Sequence, residues 1–202
     1  MDLLPFIHRY GHKINMGAQY HVIDNFLPTE VFSEIQSHIV SSSQPWCYQR
    51  NITSVKKKGV GLGHHGFNFW VVNPNKPNNL TEHESSQLLS PLLGKMKGLT
   101  GCKNILRSRL DMTLYAGRSK KGEPHVDSEK SHIVTIFYLI DSDGDTVVYN
   151  QVYNPQKDQR LTVKKRIQPK ENRVVMFDGK YIHTGHTPSR HNRRILINTD
   201  FD

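Results

Sequence analysis

The 202-residue chain has only two cysteines, Cys47 and Cys102. Two thiols cannot build a disulfide framework or a four-ligand zinc site, so they read as free, packed groups in a reducing compartment. Long apolar runs are also missing. No stretch approaches the roughly 18 consecutive apolar residues of a membrane-spanning helix. The opening MDLLPFIHRYGH has no long apolar run behind a basic region, so it does not read as a secretory signal. These absences point to a cytoplasmic protein with no membrane contact. Acid is scarce relative to base: 18 Asp and Glu against 27 Lys and Arg, a formal charge of +9. The excess is clustered. Arg50 and Lys56–Lys58 form one basic stretch, and Lys157, Arg160, Lys164, Lys165, Arg166, Lys170 and Arg173 crowd a second. Such a surface favours anionic partners, whether acidic peptides, small carboxylates or nucleic acid. A face kept soluble by charge accounts for it equally well.

What is present is a pattern of short strands. YHVIDNFLPTEVFSEIQSHIVSSS starts as a strand and becomes a helix, with Val31, Phe32, Ile35 and Ile39 at helical spacing. Asn25 or Thr29 is a candidate cap, Pro28 suits the first turn, and Ser41–Ser43 end it. WCYQRNITSV and FNFWVVNP read as strands, joined by the basic, glycine-rich KKKGVGLGHHG, a candidate lid over residues 50–66. A second helix is expected over 82–98, ending near Gly98 or Gly101, with Pro91 against an unbroken run. From residue 104 onward everything reads as strand: NILRSRLDMTLYAG, 123–127, 131–141, DTVVYN, 160–167, NRVVMFDG, YIHTGH and RRILINTDF. Eight short strands at regular spacing, with turns such as DSDGD and FDGK, predict a mainly-β fold with flanking helices, a sandwich or jelly roll. No repeat or long linker divides the chain. It reads as one domain over 1–202, with strand, helix and lid support over 1–103 and the jelly-roll core over 104–202.

His125 and Asp127 stand two apart in GEPHVDS. On a strand, residues i and i+2 share a face, so both side chains can reach one object. An imidazole and a carboxylate are a partial metal site, and His183 or His186 in FDGKYIHTGHTPSRHNRRILINTDF can complete it. Two histidines and one carboxylate on one side of an ion suit non-haem Fe(II), with positions left for substrate and oxygen.

The ordered set resembles the Fe(II)/2-oxoglutarate-dependent dioxygenases, whose pattern is His-x-Asp, a distal His, then Arg or Lys. VIDNFLPTEVFSEI is similar to the opening of the prolyl 4-hydroxylase-like branch. LYAG…PHVDS, IFYLID, GDTVVYN and MFDGKYIHTGHTP are similar to its successive barrel strands. The resemblance implies a double-stranded β-helix, a cupin-like barrel. It implies that His125, Asp127 and His183 hold iron. Tyr115 in YAG matches a tyrosine lining the co-substrate pocket, Tyr138 one that reaches the distal carboxylate of 2-oxoglutarate, and Arg194 the base that pairs with that carboxylate. A guanidinium meets a carboxylate in a bidentate, charge-assisted pair. Alternation puts Arg194, Leu196 and Asn198 on one face of the last strand and Arg193, Ile195 and Ile197 on the other. The family's interior face is the polar one, which favours Arg194 over Arg193. Pro188 lies five residues after His183 but two after His186, which favours His183 by the family's spacing. The implied reaction hydroxylates a prolyl residue of a peptide or protein substrate, acidic if the lid lysines engage it, using O2 and releasing succinate and CO2. Ascorbate is the expected reductant.

Two other readings share features with this one. An AlkB-like nucleic-acid demethylase would fit the basic charge, but that family carries a second arginine where this chain has Asp200. A cupin-like binding module would use more histidines and a glutamate. His64, His65 and His132 read as surface, substrate-contacting or strand-end histidines, and Phe67, Phe69 and Trp70 as core or pocket wall.

Overall fold

The computed structural model describes residues 20–41, 43–50, 52, 65–115, 117–157 and 159–202. Most of the expected lid, including Lys56–Lys58 and His64, lies outside the described residues. The order of elements is β1 (His21–Ile23), α1 (Thr29–Val40), β2 (Cys47–Gln49), β3 (Gly66–Val72), α2 (Glu84–Leu88), α3 (Ser90–Thr100), β4 (Ile105–Leu114), β5 (Ile133–Tyr138), β6 (Thr146–Val152), β7 (Val163–Ile167), β8 (Arg173–Asp178), β9 (Tyr181–Gly185) and β10 (Arg193–Phe201).

Two antiparallel sheets face each other. The larger runs β1-β8-β5-β10-β4-β3-β2 and the smaller β7-β6-β9. Residues 121–125 extend the smaller sheet beside β9 through bridges Lys121–His186 and His125–His183. The central strands of the larger sheet are apolar on both faces because both are covered. Val134, Ile136 and Tyr138 of β5, Val175 and Phe177 of β8, and Leu196 of β10 point between the sheets. The alternate residues Phe137, Val174, Met176, Ile195 and Ile197 pack under the helices against Phe32, Ile35, Ile39, Leu92 and Met96. Burying each such large side chain contributes about 1.5–3 kcal/mol. The architecture is the mainly-β jelly roll with flanking helices that strand spacing predicts.

The differences are local. The first helix has Pro28 at its N-cap position with no side-chain cap, so neither Asn25 nor Thr29 serves; Asn25 takes a positive φ of 50° instead. Val31, Phe32, Ile35 and Ile39 do face the core. Residues 82–98 are two helices, broken at Leu89 because Pro91 lacks an amide proton and can sit only in a first turn. The second ends on Gly101, whose φ of 70° is the left-handed cap that glycine accepts without strain. Residues 123–127 make a single bridge rather than a ladder, and the 160–167 strand starts only at Val163. Both thiols are free; Cys47 is exposed on the edge strand β2, whereas Cys102 is half-buried and packs against the main core. No described helix is long and apolar enough to cross a membrane.

Candidate metal centre

The inner face of β4 sets the character of the space between the sheets. Arg107, Arg109, Asp111 and Thr113 occupy alternate positions, opposite Asp200, Asn198, Leu196 and Arg194 of β10. Leu110 and Met112 fill the other face, under the helices. A cavity of about 400 Å³ opens between these strands and the smaller sheet; His125, Asp127, Thr146 and His183 also line it.

His125, Asp127 and His183 bring one ligand atom each within 4.8 Å of one another. His125 arrives on the bridge to His183, which fixes both backbones. Each ring has its Nδ1 against a carbonyl two residues back, Glu123 at 2.8 Å and Tyr181 at 3.1 Å. Donation from Nδ1–H to those carbonyls leaves the Nε2 lone pairs facing inward. The Nε2 atoms lie 3.6 Å and 3.4 Å from the two oxygens of Asp127. His183 is buried, its ring edge-on to Phe177 at 5.0 Å. Burial opposes ionisation of Asp127, but Arg107 and the two histidines hold its carboxyl well below the usual carboxylate range. Burial likewise disfavours charge on His125, while the neighbouring Asp127 carboxylate raises its pKa above the ordinary value. The cluster is a deprotonated carboxylate beside two inward-facing lone pairs, a donor set that could hold a divalent ion.

Arg194 lines the same cavity and stands four positions along β10, roughly 13 Å of strand, from Asn198, whose amide donates to Asp127 at 3.3 Å. Its guanidinium is buried, and burial alone pulls its pKa below the ordinary value. Nη2 donates to Thr146 Oγ1 at 2.7 Å, Nε has no hydrogen-bond partner, and no carboxylate pairs with it among the described residues. Gly185 leaves it room: a Cβ there would lie 3.1 Å from Arg194 Nη1. A buried cation with no carboxylate in direct contact costs several kcal/mol, an arrangement that an anion entering the cavity would relieve. Tyr138 is fully buried beneath it. Its hydroxyl donates to the same Thr146 oxygen at 2.7 Å, and burial raises its pKa.

Asp143 anchors the turn that leads into β10. Its carboxylate accepts from the amides of Ser189, Arg190 and His191 and from the Ser189 hydroxyl at 2.6 Å. Burial opposes its charge, but these donors depress its pKa far below normal. A depressed folded pKa adds stability above the unfolded value, about 3.9, which is lost as pH falls through the folded one. Asp143→Ala is expected to cost about 2 kcal/mol at pH 7. In thermal melts its gap from wild type should narrow below pH ~4.

Arg193 and His186 do not line the cavity; Arg194 and His183 do. Tyr115 does not line it either. It lies past the end of β4, half exposed, and its hydroxyl donates to Gly117 O at 3.1 Å, so the ring is spent on its own turn. Sequence reasoning missed Arg107, Arg109, Asp111, Thr146 and Asn198. The alternation in RSRLDMT, with a charge at three successive odd positions, marks β4's share of them. Phe67 and Phe69 pack against the main core and Trp70 stacks with Arg109, as pocket wall or core predicts.

No protein-family model and no curated protein matches the sequence. Solved structures do match its shape. An oxidoreductase of the 2OG-Fe(II) oxygenase family from Burkholderia pseudomallei superposes with a TM-score of 0.64 at 14% identity, covering 91% of this chain and 84% of that one. The fold is that of the 2OG-Fe(II) oxygenases. A prolyl hydroxylase from Trichoplax adhaerens, in complex with a hypoxia inducible factor peptide fragment, gives 0.62 at 13% identity over 97% and 86% of the two chains. The epimerase SnoN, in complex with Fe3+, alpha ketoglutarate and nogalamycin RO, gives 0.60 at 10% over 90% and 78%. The 2OG-Fe(II) oxygenase fold thus spans protein and small-molecule chemistries.

Proposed function

We propose that this chain is an Fe(II)- and 2-oxoglutarate-dependent oxygenase that hydroxylates a prolyl residue of a peptide or protein. The observation that carries the reading is one cavity holding both a two-histidine, one-carboxylate cluster and a buried arginine that no carboxylate among the described residues pairs with directly. His125, Asp127 and His183 would hold the iron through two Nε2 atoms and a carboxylate oxygen. Arg194, with Tyr138 behind it and Thr146 between them, would take the distal carboxylate of 2-oxoglutarate. Iron with 2-oxoglutarate and O2 supplies oxidation of a C–H bond, with release of succinate and CO2. The chain positions these reactants and excludes water, which Leu196 and Ile136 assist as apolar wall. Ascorbate would keep the iron reduced.

The substrate class rests on the shape shared with prolyl hydroxylases, one of them peptide-bound. The lysines behind an acidic preference lie outside the described residues, and the cavity lining carries Glu123 and Glu129. A nucleic-acid demethylase is less well supported, because Asp200 is ion-paired with Arg107 where that family has a second arginine. Proline-containing peptides and cell protein, incubated with Fe(II), ascorbate and 2-oxoglutarate, should gain one oxygen on proline by mass spectrometry. Oxygen gain confined to other residues, or methyl loss from nucleic acid, would overturn the substrate assignment.

A further inference from the structure

The candidate metal centre has a second donor cluster against it. Asp127, His132 and Asp200 also bring ligand atoms within 4.8 Å of one another. That space already holds a cation, the guanidinium of Arg107. Its Nε lies 2.5 Å from Asp200 Oδ2, and its Nη2 is ion-paired with Asp127 Oδ1. Arg107 and Asp200 are register partners on β4 and β10, so the pair is fixed by the sheet itself. Burial works against the charge on Arg107, but Asp127 and Asp200 together hold it protonated.

We propose that Arg107 is a positioning residue that holds Asp127 as a one-oxygen ligand. The inference rests on the reading of His125, Asp127 and His183 as the iron site. A free carboxylate chelates a divalent ion through one oxygen or two. Here the rigid guanidinium fork, held by Asp200, takes Oδ1. Oδ1 also lies 3.6 Å from His125 Nε2, but the guanidinium occupies it; Oδ2, which among the described residues accepts from the Asn198 amide at 3.3 Å and lies 3.4 Å from His183 Nε2, is the oxygen left to face an ion. One-oxygen ligation leaves about three of six octahedral positions open. That is the number needed by a co-substrate chelating at two points together with O2. Two-oxygen ligation would remove one of them. The charge pattern explains why β4 carries an arginine and β10 an aspartate at this level. A guanidinium alone beside an iron site would repel the ion, and Asp200 neutralises it.

The test counts water on a bound probe ion. Mn(II) is titrated into metal-free wild type, Arg107→Met and the double variant Arg107→Met/Asp200→Asn, and solvent-proton relaxation is read per bound ion. The double variant removes one buried charge of each sign, so it keeps the charge balance if the single variant does not fold. Wild type should hold about three waters and each folded variant about two, a fall of about a third in relaxation, with Mn(II) bound as tightly or more tightly. Unchanged relaxation in a folded variant overturns the role of Arg107. Binding of Mn(II) by wild type no tighter than by His183→Ala would instead show that the iron-site reading had failed.

Discussion

His183→Ala is expected to lose metal binding and turnover together. Loss of an outer hydrogen-bond partner to a metal ligand costs about 10–100-fold in affinity, and loss of the ligand itself should exceed that. The residue sits where the effect is undiluted: buried, its Nδ1 committed to Tyr181 O and its Nε2 to the Asp127 side. His186→Ala is the matched control. Its amide donates to Asp145 O at 2.8 Å, it bridges Lys121, and it does not line the cavity, so Fe(II) affinity should change less than tenfold. Anaerobic Fe(II) titration followed by single-turnover assay separates the two variants.

Arg194→Met should leave metal affinity intact and weaken 2-oxoglutarate by roughly a hundredfold. A hydrogen-bonded pair to a charged group is worth about 1.5–3 kcal/mol, and every ~1.4 kcal/mol is tenfold. Methionine keeps most of the volume, so the Tyr138–Thr146 hydrogen bond and the packing around Gly185 should survive. Removing an unpaired buried cation should also raise the melting temperature of the co-substrate-free protein, because the desolvation cost goes with it. The combination of weaker co-substrate binding with a more stable apo protein distinguishes an anion site from a structural arginine. Titration with 2-oxoglutarate and thermal melts measure both.

The sequence showed most of this fold because both faces of the central strands are covered. Runs such as IVTIFY and RVVMF are apolar throughout, and DSDGD and FDGK punctuate them. Alternation on RRILINTDF separated Arg194 from Arg193 for the same reason: one face meets helices, the other meets polar groups. The resemblance of YAG places Tyr115 by its spacing from His125, and that spacing does not report that β4 ends at Leu114 and that the tyrosine hydroxyl donates to Gly117 O. Arg107 was illegible as a site residue, because its partners Asp127 and Asp200 are 20 and 93 positions away and meet it only through the β4–β10 register. Thr146 reads in the sequence as an ordinary β-branched strand residue, yet its hydroxyl joins Tyr138 to Arg194. Such contacts depend on sheet order, which periodicity alone does not carry.

The central claim is that one cavity joins an iron site to a 2-oxoglutarate site. It is tested most directly by succinate formation from 2-oxoglutarate in metal-stripped protein to which Fe(II) is restored. The account predicts succinate that requires Fe(II) and O2, is absent in Asp127→Ala, and in Arg194→Met returns only at far higher 2-oxoglutarate. Succinate formed without Fe(II), or undiminished in Asp127→Ala, would contradict it.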